Sequence, residues 1–182
     1  MKFLSNIRLL LIGLWLGAAV FFSFAVAPTA FGVLKNLQIA QSSTIAGEMV
    51  SRNLMIINVG GLIIGLILLA TSFVGAVNTN RFVLWTERIL LLLLTAACAV
   101  GQFVIALWLS FVKAQIGRPI DEVAADDPLR LKFNNLHEYS VWVLLIAMLA
   151  ALIAFFIISG KSFTSAPKTV SKDFDFDKEF KI

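Results

Sequence analysis

The chain has 182 residues, of which 59% are hydrophobic and 14% charged, and its mean hydropathy is +0.91. Soluble domains carry about 45–50% apolar and about 25% charged residues, so this balance excludes a water-soluble globular domain and leaves length for a single membrane domain. The net charge of +4 does not point to nucleic acid, because Lys and Arg gather at the ends of apolar runs, where topology and anionic head groups account for them.

Lys2 and Arg8 precede an apolar run over residues 9–27 that ends in Ala25-Val26-Ala27, small residues of the kind found at secretory cleavage sites. The run is about 19 residues, longer than a signal-peptide core of about 7–15, and Pro28 follows the supposed cut directly. A retained first helix over residues 8–28 is therefore expected. Gly13 and Gly17 form a G-x-x-x-G pair on which another helix can pack, and Pro28 is expected to end or kink the helix. Residues 29–52 mix charge with Phe31, Leu34 and Leu37 at helical spacing, which predicts a short connector helix lying in the membrane interface.

The second span, residues 54–77, is interrupted only by Asn58, Thr71 and Ser72. Gly61 and Gly65 make a second G-x-x-x-G pair, and Asn58, about one turn in, needs an interhelical hydrogen bond. A turn at Asn78-Thr79-Asn80-Arg81 leads to the third span, residues 86–112. Trp85 suits an aromatic belt, and Glu87 and Arg88 read as membrane-edge charges. Ala97 and Gly101 add a further small-residue face, and Gln102 lies well inside the span. A polar loop over residues 114–132, broken by Pro119 and Pro128, precedes the fourth span, residues 136–159. The alternation Asp173-Phe174-Asp175-Phe176-Asp177 marks a polar tail, residues 161–182, read as disordered near the membrane surface. The expected fold is an all-α integral membrane four-helix up-down bundle over residues 1–160, with the connector helix and the tail.

Four spans put both termini on one side of the membrane. Nine Lys and Arg (Lys2, Arg8, Arg81, Arg88, Lys161, Lys168, Lys172, Lys178, Lys181) fall on that side, against six (Lys35, Arg52, Lys113, Arg118, Arg130, Lys132) opposite. This predicts cytoplasmic termini, in a bacterial inner membrane.

The up-down path gathers the interior polar residues at one end. His137, the only histidine, opens the fourth helix, and Ser140 shares its face at i+3. Asn58 and Gln102 fall in the same half, so His137, Ser140, Gln102 and Asn58 form the candidate polar cluster. Two readings of His137 stay open: a haem or metal ligand or proton-handling group, or a structural histidine bonding Asn58, Gln102 or a loop carbonyl. One His and one Cys on different helices, His137 and Cys98, do not make a closed metal site. No phosphate loop, H-E-x-x-H or Cys-pair motif occurs, so no catalytic residue is assigned and no cofactor is expected, haem or a metal ion being the alternative. The expected partners are the lipid bilayer and, through the small-residue faces, further copies of the chain or other membrane subunits.

Trp15-Leu16-Gly17, Phe21-Phe22, Ala27-Pro28-Thr29-Ala30-Phe31, and Asp127-Pro128 running into Phe133, Leu136, His137 and Ser140 together resemble the domain of unknown function 4149 family, the transmembrane protein 205-like group. The resemblance covers roughly residues 5–160. It transfers no catalytic residues. Its eukaryotic members are associated with resistance to toxic metal compounds, and distantly similar four-helix families include copper-resistance and haem-linked membrane proteins. The resemblance thus implies transport or tolerance of a small solute or metal, with a haem- or metal-binding redox protein and a structural accessory subunit as alternatives.

Overall fold

A computed structural model describes residues 2–74 and 80–164 of the chain. The turn residues Asn78 and Thr79 and the tail beyond Thr164 lie outside the described residues. Among the described residues four helices are long and apolar enough to cross a membrane: α1 (Phe3–Asn36), α2 (Ser42–Phe73), α3 (Arg81–Ile116) and α4 (Pro128–Gly160). An apolar segment in lipid must satisfy its own backbone, and the helix does so within one segment. Each helix overruns its apolar run, because local capping rather than hydropathy sets its ends. Asn80 caps α3 by accepting from the Phe82 N–H at 3.0 Å. Asp127 caps α4 by accepting from the Leu129 N–H at 2.8 Å, with Pro128 in the first turn, where its missing N–H costs nothing. Gly117, at φ 66°, closes α3 and donates its N–H to the Lys113 carbonyl at 3.1 Å, a left-handed end that favours glycine.

Pro28 does not end α1. A wide turn over Phe22–Val26, in which the Ala27 N–H donates to the Phe22 carbonyl, lies just before it. Proline in a regular helix collides with the carbonyl four residues back, and the widened turn gives that ring room. The expected connector helix is the Ala27–Asn36 segment after that turn, which runs on from the first part of α1 without a break. Phe31 and Leu34 keep the helical spacing read from the sequence because they belong to α1 itself. The turn between the two helices places Gln38 and Gln41 at φ 51° and 61°.

The helices form an antiparallel bundle in which α1 packs on α2 and α4, and α3 on α2 and α4. The core is built from Ile12 and Trp15 of α1, Leu68 of α2, Leu91 and Leu94 of α3, and the alanines Ala147, Ala151 and Ala154 of α4. Phe24, Ile56, Leu107 and Phe156 are among many apolar side chains left exposed around the outside. Such a girdle is a lipid-facing surface, and the chain is an integral membrane protein.

Candidate functional site

At the end of the bundle away from Arg8, the start of α2, the end of α3 and the start of α4 stand apart around a cavity of about 900 Å³. Its walls include Leu54, Ile105, Leu109 and Phe133, and all four residues of the polar cluster, Asn58, Gln102, His137 and Ser140, line it. Asn58 is 16 residues beyond Ser42, Gly101 is 15 before Ile116 and Ser140 is 12 beyond Pro128. At about 1.5 Å per residue these are depths of about 24, 22 and 18 Å, so the cavity is elongated along the bundle.

The deep end is built around Asn58, which is 5% exposed. Gly101 makes room for it: a Cβ there would lie 3.1 Å from the Asn58 amide nitrogen. The same glycine opens a second wide turn, Gly101–Ile105, which carries Gln102 and Ile105 to the cavity. Among the described residues no hydrogen bond joins Asn58, Gln102 and the His137 ring, so the structural lock considered for His137 is not made. Ser140 donates its hydroxyl to the His137 carbonyl at 2.7 Å, along its own helix. The serine proton is thereby committed to backbone, and serine and histidine do not form a nucleophile–base pair. No three His, Cys, Asp or Glu among the described residues gather as a metal-ligand set.

The mouth is held together by charge. Asp121, in the short turn Ile120–Glu122, accepts from the Thr44 N–H at 3.1 Å and the Thr44 hydroxyl at 3.2 Å, capping α2 from a distant loop. Partial burial pushes the Asp121 carboxyl up, but hydrogen bonds from Ser43 and Thr44 outweigh it and leave it below its ordinary value. Glu48 bridges Arg52 at 3.2 Å and Lys113 at 3.9 Å. Arg130 donates to the Val123 carbonyl, folding the loop back on α4.

The sequence profile of a domain of unknown function (DUF4149) matches residues 10–118, more than half of the chain. The chain belongs to the DUF4149 family. No curated protein and no solved structure matches it. The matched part of this DUF4149 chain carries Asn58, Gly101, Gln102 and Lys113, and stops before His137 and Ser140.

The other sequence-derived residues of the DUF4149 chain divide sharply. A Cβ at Gly61 would fall 2.5 Å from Cys98 Sγ and 2.6 Å from Trp15 Nε1, and one at Gly65 would strike the Thr95 hydroxyl, so these two glycines set the close crossing of α2 on α3. Trp15 locks the same point by donating Nε1–H to the Ile57 carbonyl at 2.9 Å. Gly13 faces the Phe155 ring, and Ala97 is buried, but Gly17 has nothing within 4 Å and points outward. Glu87 faces inward: it is 1% exposed and paired with Arg8 inside the bundle. Arg88 donates to the Ser72 carbonyl at 3.3 Å and lies 4.1 Å over the Phe73 ring. The residues that sequence reasoning missed are those at the mouth, Lys113, Arg118 and Arg130, which it counted only in the charge balance, and Asp121. Their signal was topological, since the start of α2, the end of α3 and the following loop must share one end of an up-down bundle.

Proposed function

We propose that this protein takes a small solute into the cavity between α2, α3 and α4 and serves in its transport or in tolerance of it. The observation that carries this reading is the convergence of Asn58, Gln102, His137 and Ser140, from three helices, on one elongated cavity of about 900 Å³. Ligand sites are concave and mostly apolar, with a few convergent polar groups, and about 300–1,000 Å³ suits a drug-sized molecule. The site binds and orients a solute. The excess of Lys and Arg on the terminal side supports cytoplasmic termini in a bacterial inner membrane, and the cavity then opens to the opposite side. Trp15, Gly61 and Cys98 are packed tightly on the far side of Asn58, so passage across the membrane involves further copies of the chain or a neighbouring subunit.

The test is growth of cells lacking the protein on a panel of toxic solutes and metal salts, with complementation by the natural chain, Asn58→Leu or His137→Ala. Sensitivity to at least one compound, rescued by the natural chain and not by variants present in the membrane at equal amount, is expected. Full rescue by Asn58→Leu, which fills the cavity floor, would overturn the reading.

A further inference from the structure

The chemistry of the cavity changes along its length. At the mouth Arg52, Lys113, Arg118 and Arg130 stand against Glu48 and Asp121, four basic groups to two acidic ones. Both acids are engaged: Glu48 bridges Arg52 and Lys113, and Asp121 holds the first turn of α2. Arg118 makes no ion pair among the described residues. The surplus at the mouth is positive. Beyond it Leu109, Ile105 and Leu54 give the wall an apolar strip, with Gln102, His137 and Ser140 lining the cavity at similar depth from α3 and α4. At the far end sits the Asn58 amide, 5% exposed, lining the cavity and hydrogen-bonded to no described residue. Neither its nitrogen nor its oxygen is an enclosed, unpaired atom, so the amide is open to whatever fills the cavity that Asn58 lines.

We infer that the cavity holds a single-chain amphiphile, with an anionic head at Lys113 and Arg118, its chain along Leu109, Ile105 and Leu54, and a hydroxyl or carbonyl on that chain meeting Asn58. The inference rests on the reading of the cavity as a solute site. Each part of the ligand follows from one part of the wall. A cationic amphiphile meets like charge at the mouth. A compact inorganic anion is held at the mouth but leaves the apolar wall uncovered. A saturated chain without a polar group leaves the Asn58 amide unsatisfied, and polar groups stripped of water without a partner discriminate strongly against such a ligand.

The full chain in nanodiscs of zwitterionic phosphatidylcholine, photolabelled with diazirine analogues of palmitate and of hexadecylamine, tests this. Mass spectrometry locates the adducts, and unlabelled stearate and 12-hydroxystearate compete. The carboxylate probe is expected to label Leu54, Ile105 and Leu109 about tenfold more than the amine probe, the ratio given by about one charge-assisted contact. Lys113→Gln with Arg118→Gln is expected to erase that preference. In the natural chain 12-hydroxystearate is expected to compete better than stearate, and Asn58→Leu to remove the difference. Equal labelling by the amine, or carboxylate adducts confined to the outward-facing Phe103 and Leu107, would overturn the inference. If the carboxylate probe stays out of the cavity while Asn58→Leu still loses tolerance in cells, the amphiphile falls and the solute site stands. If both experiments fail, both readings fall.

Discussion

Arg8 of α1 and Glu87 of α3, 79 residues apart in the chain, form an ion pair in the interior of the bundle. The Glu87 side chain is 1% exposed and that of Arg8 12%. The same guanidinium donates to the Leu68 carbonyl of α2 at 3.3 Å, so one side chain ties three helices. Both charges face the interior, where each lowers the cost of burying the other. Removing one partner of a buried pair typically costs about 3–5 kcal/mol, whereas replacing both by apolar residues is often neutral. Glu87→Leu is therefore expected to lower the thermal midpoint in detergent severely, and Arg8→Met with Glu87→Leu to recover most of the loss. Additive losses in the double variant would show that the two residues do not act as a pair.

Gly61 and Gly17 belong to the same kind of sequence pattern and are expected to respond oppositely to substitution. A Cβ at Gly61 collides with Cys98 and Trp15, and one at Gly17 meets nothing within 4 Å. Overpacking a close helix crossing costs about 1–3 kcal/mol, and exposed substitutions stay within about 0.5 kcal/mol. Gly61→Val should destabilise the folded bundle and Gly17→Val should not, as read by thermal unfolding of the purified proteins. A large loss at Gly17 would instead reveal a contact made on the outside of α1.

Gln38 adopts φ 51° in the turn joining α1 to α2. The left-handed region costs an L-residue about 1–2 kcal/mol and costs glycine nothing, although glycine gives part of that back through the entropy of the unfolded chain. Gln38→Gly is expected to stabilise by about 0.5–1 kcal/mol, seen as a higher thermal midpoint, and Gln38→Val to destabilise. Gln41, at φ 61°, is the poorer position to alter, because its side chain also donates to Glu122 at 3.3 Å.

The sequence revealed most where one residue type answers to one physical demand. Four apolar runs are four helices because lipid permits little else, and the up-down path alone brought Asn58, Gln102, His137 and Ser140 to one end. Direction was not legible: a G-x-x-x-G pair states that a close approach is possible, not which neighbour takes it, so Gly17 and Gly61 look alike in the chain. The burial of Glu87 was hidden because its partner, Arg8, lies on another helix, and beside Arg88 in sequence it resembles an interfacial pair. That the connector helix runs on from the first span was not legible, since Pro28 usually breaks a helix, and the wide turn that accommodates it has no sequence signature of its own. The mouth of the cavity stayed invisible for a related reason. Asp121 and Thr44 come from opposite sides of two spans, and only the folded bundle makes one cap the helix of the other.

That cap yields a pH dependence of known sign. The Asp121 carboxyl accepts two hydrogen bonds from Thr44 at the N-terminus of α2, where the helix dipole also favours negative charge. Burial pushes it up, but hydrogen bonding from Ser43 together with these bonds holds it below the ordinary 3.8. A carboxylate depressed in the folded state contributes stability that is fully present above its unfolded value and is lost as pH falls through the folded one. At neutral pH Asp121→Asn should lower the thermal midpoint in detergent slightly, by the equivalent of about 0.5 kcal/mol once solvent screening of an exposed group is allowed for. As pH drops below 3.8 the natural chain protonates and the two midpoints should converge. A gap that persists at low pH would mean that the asparagine disturbs the turn sterically and that charge is not what Asp121 contributes there.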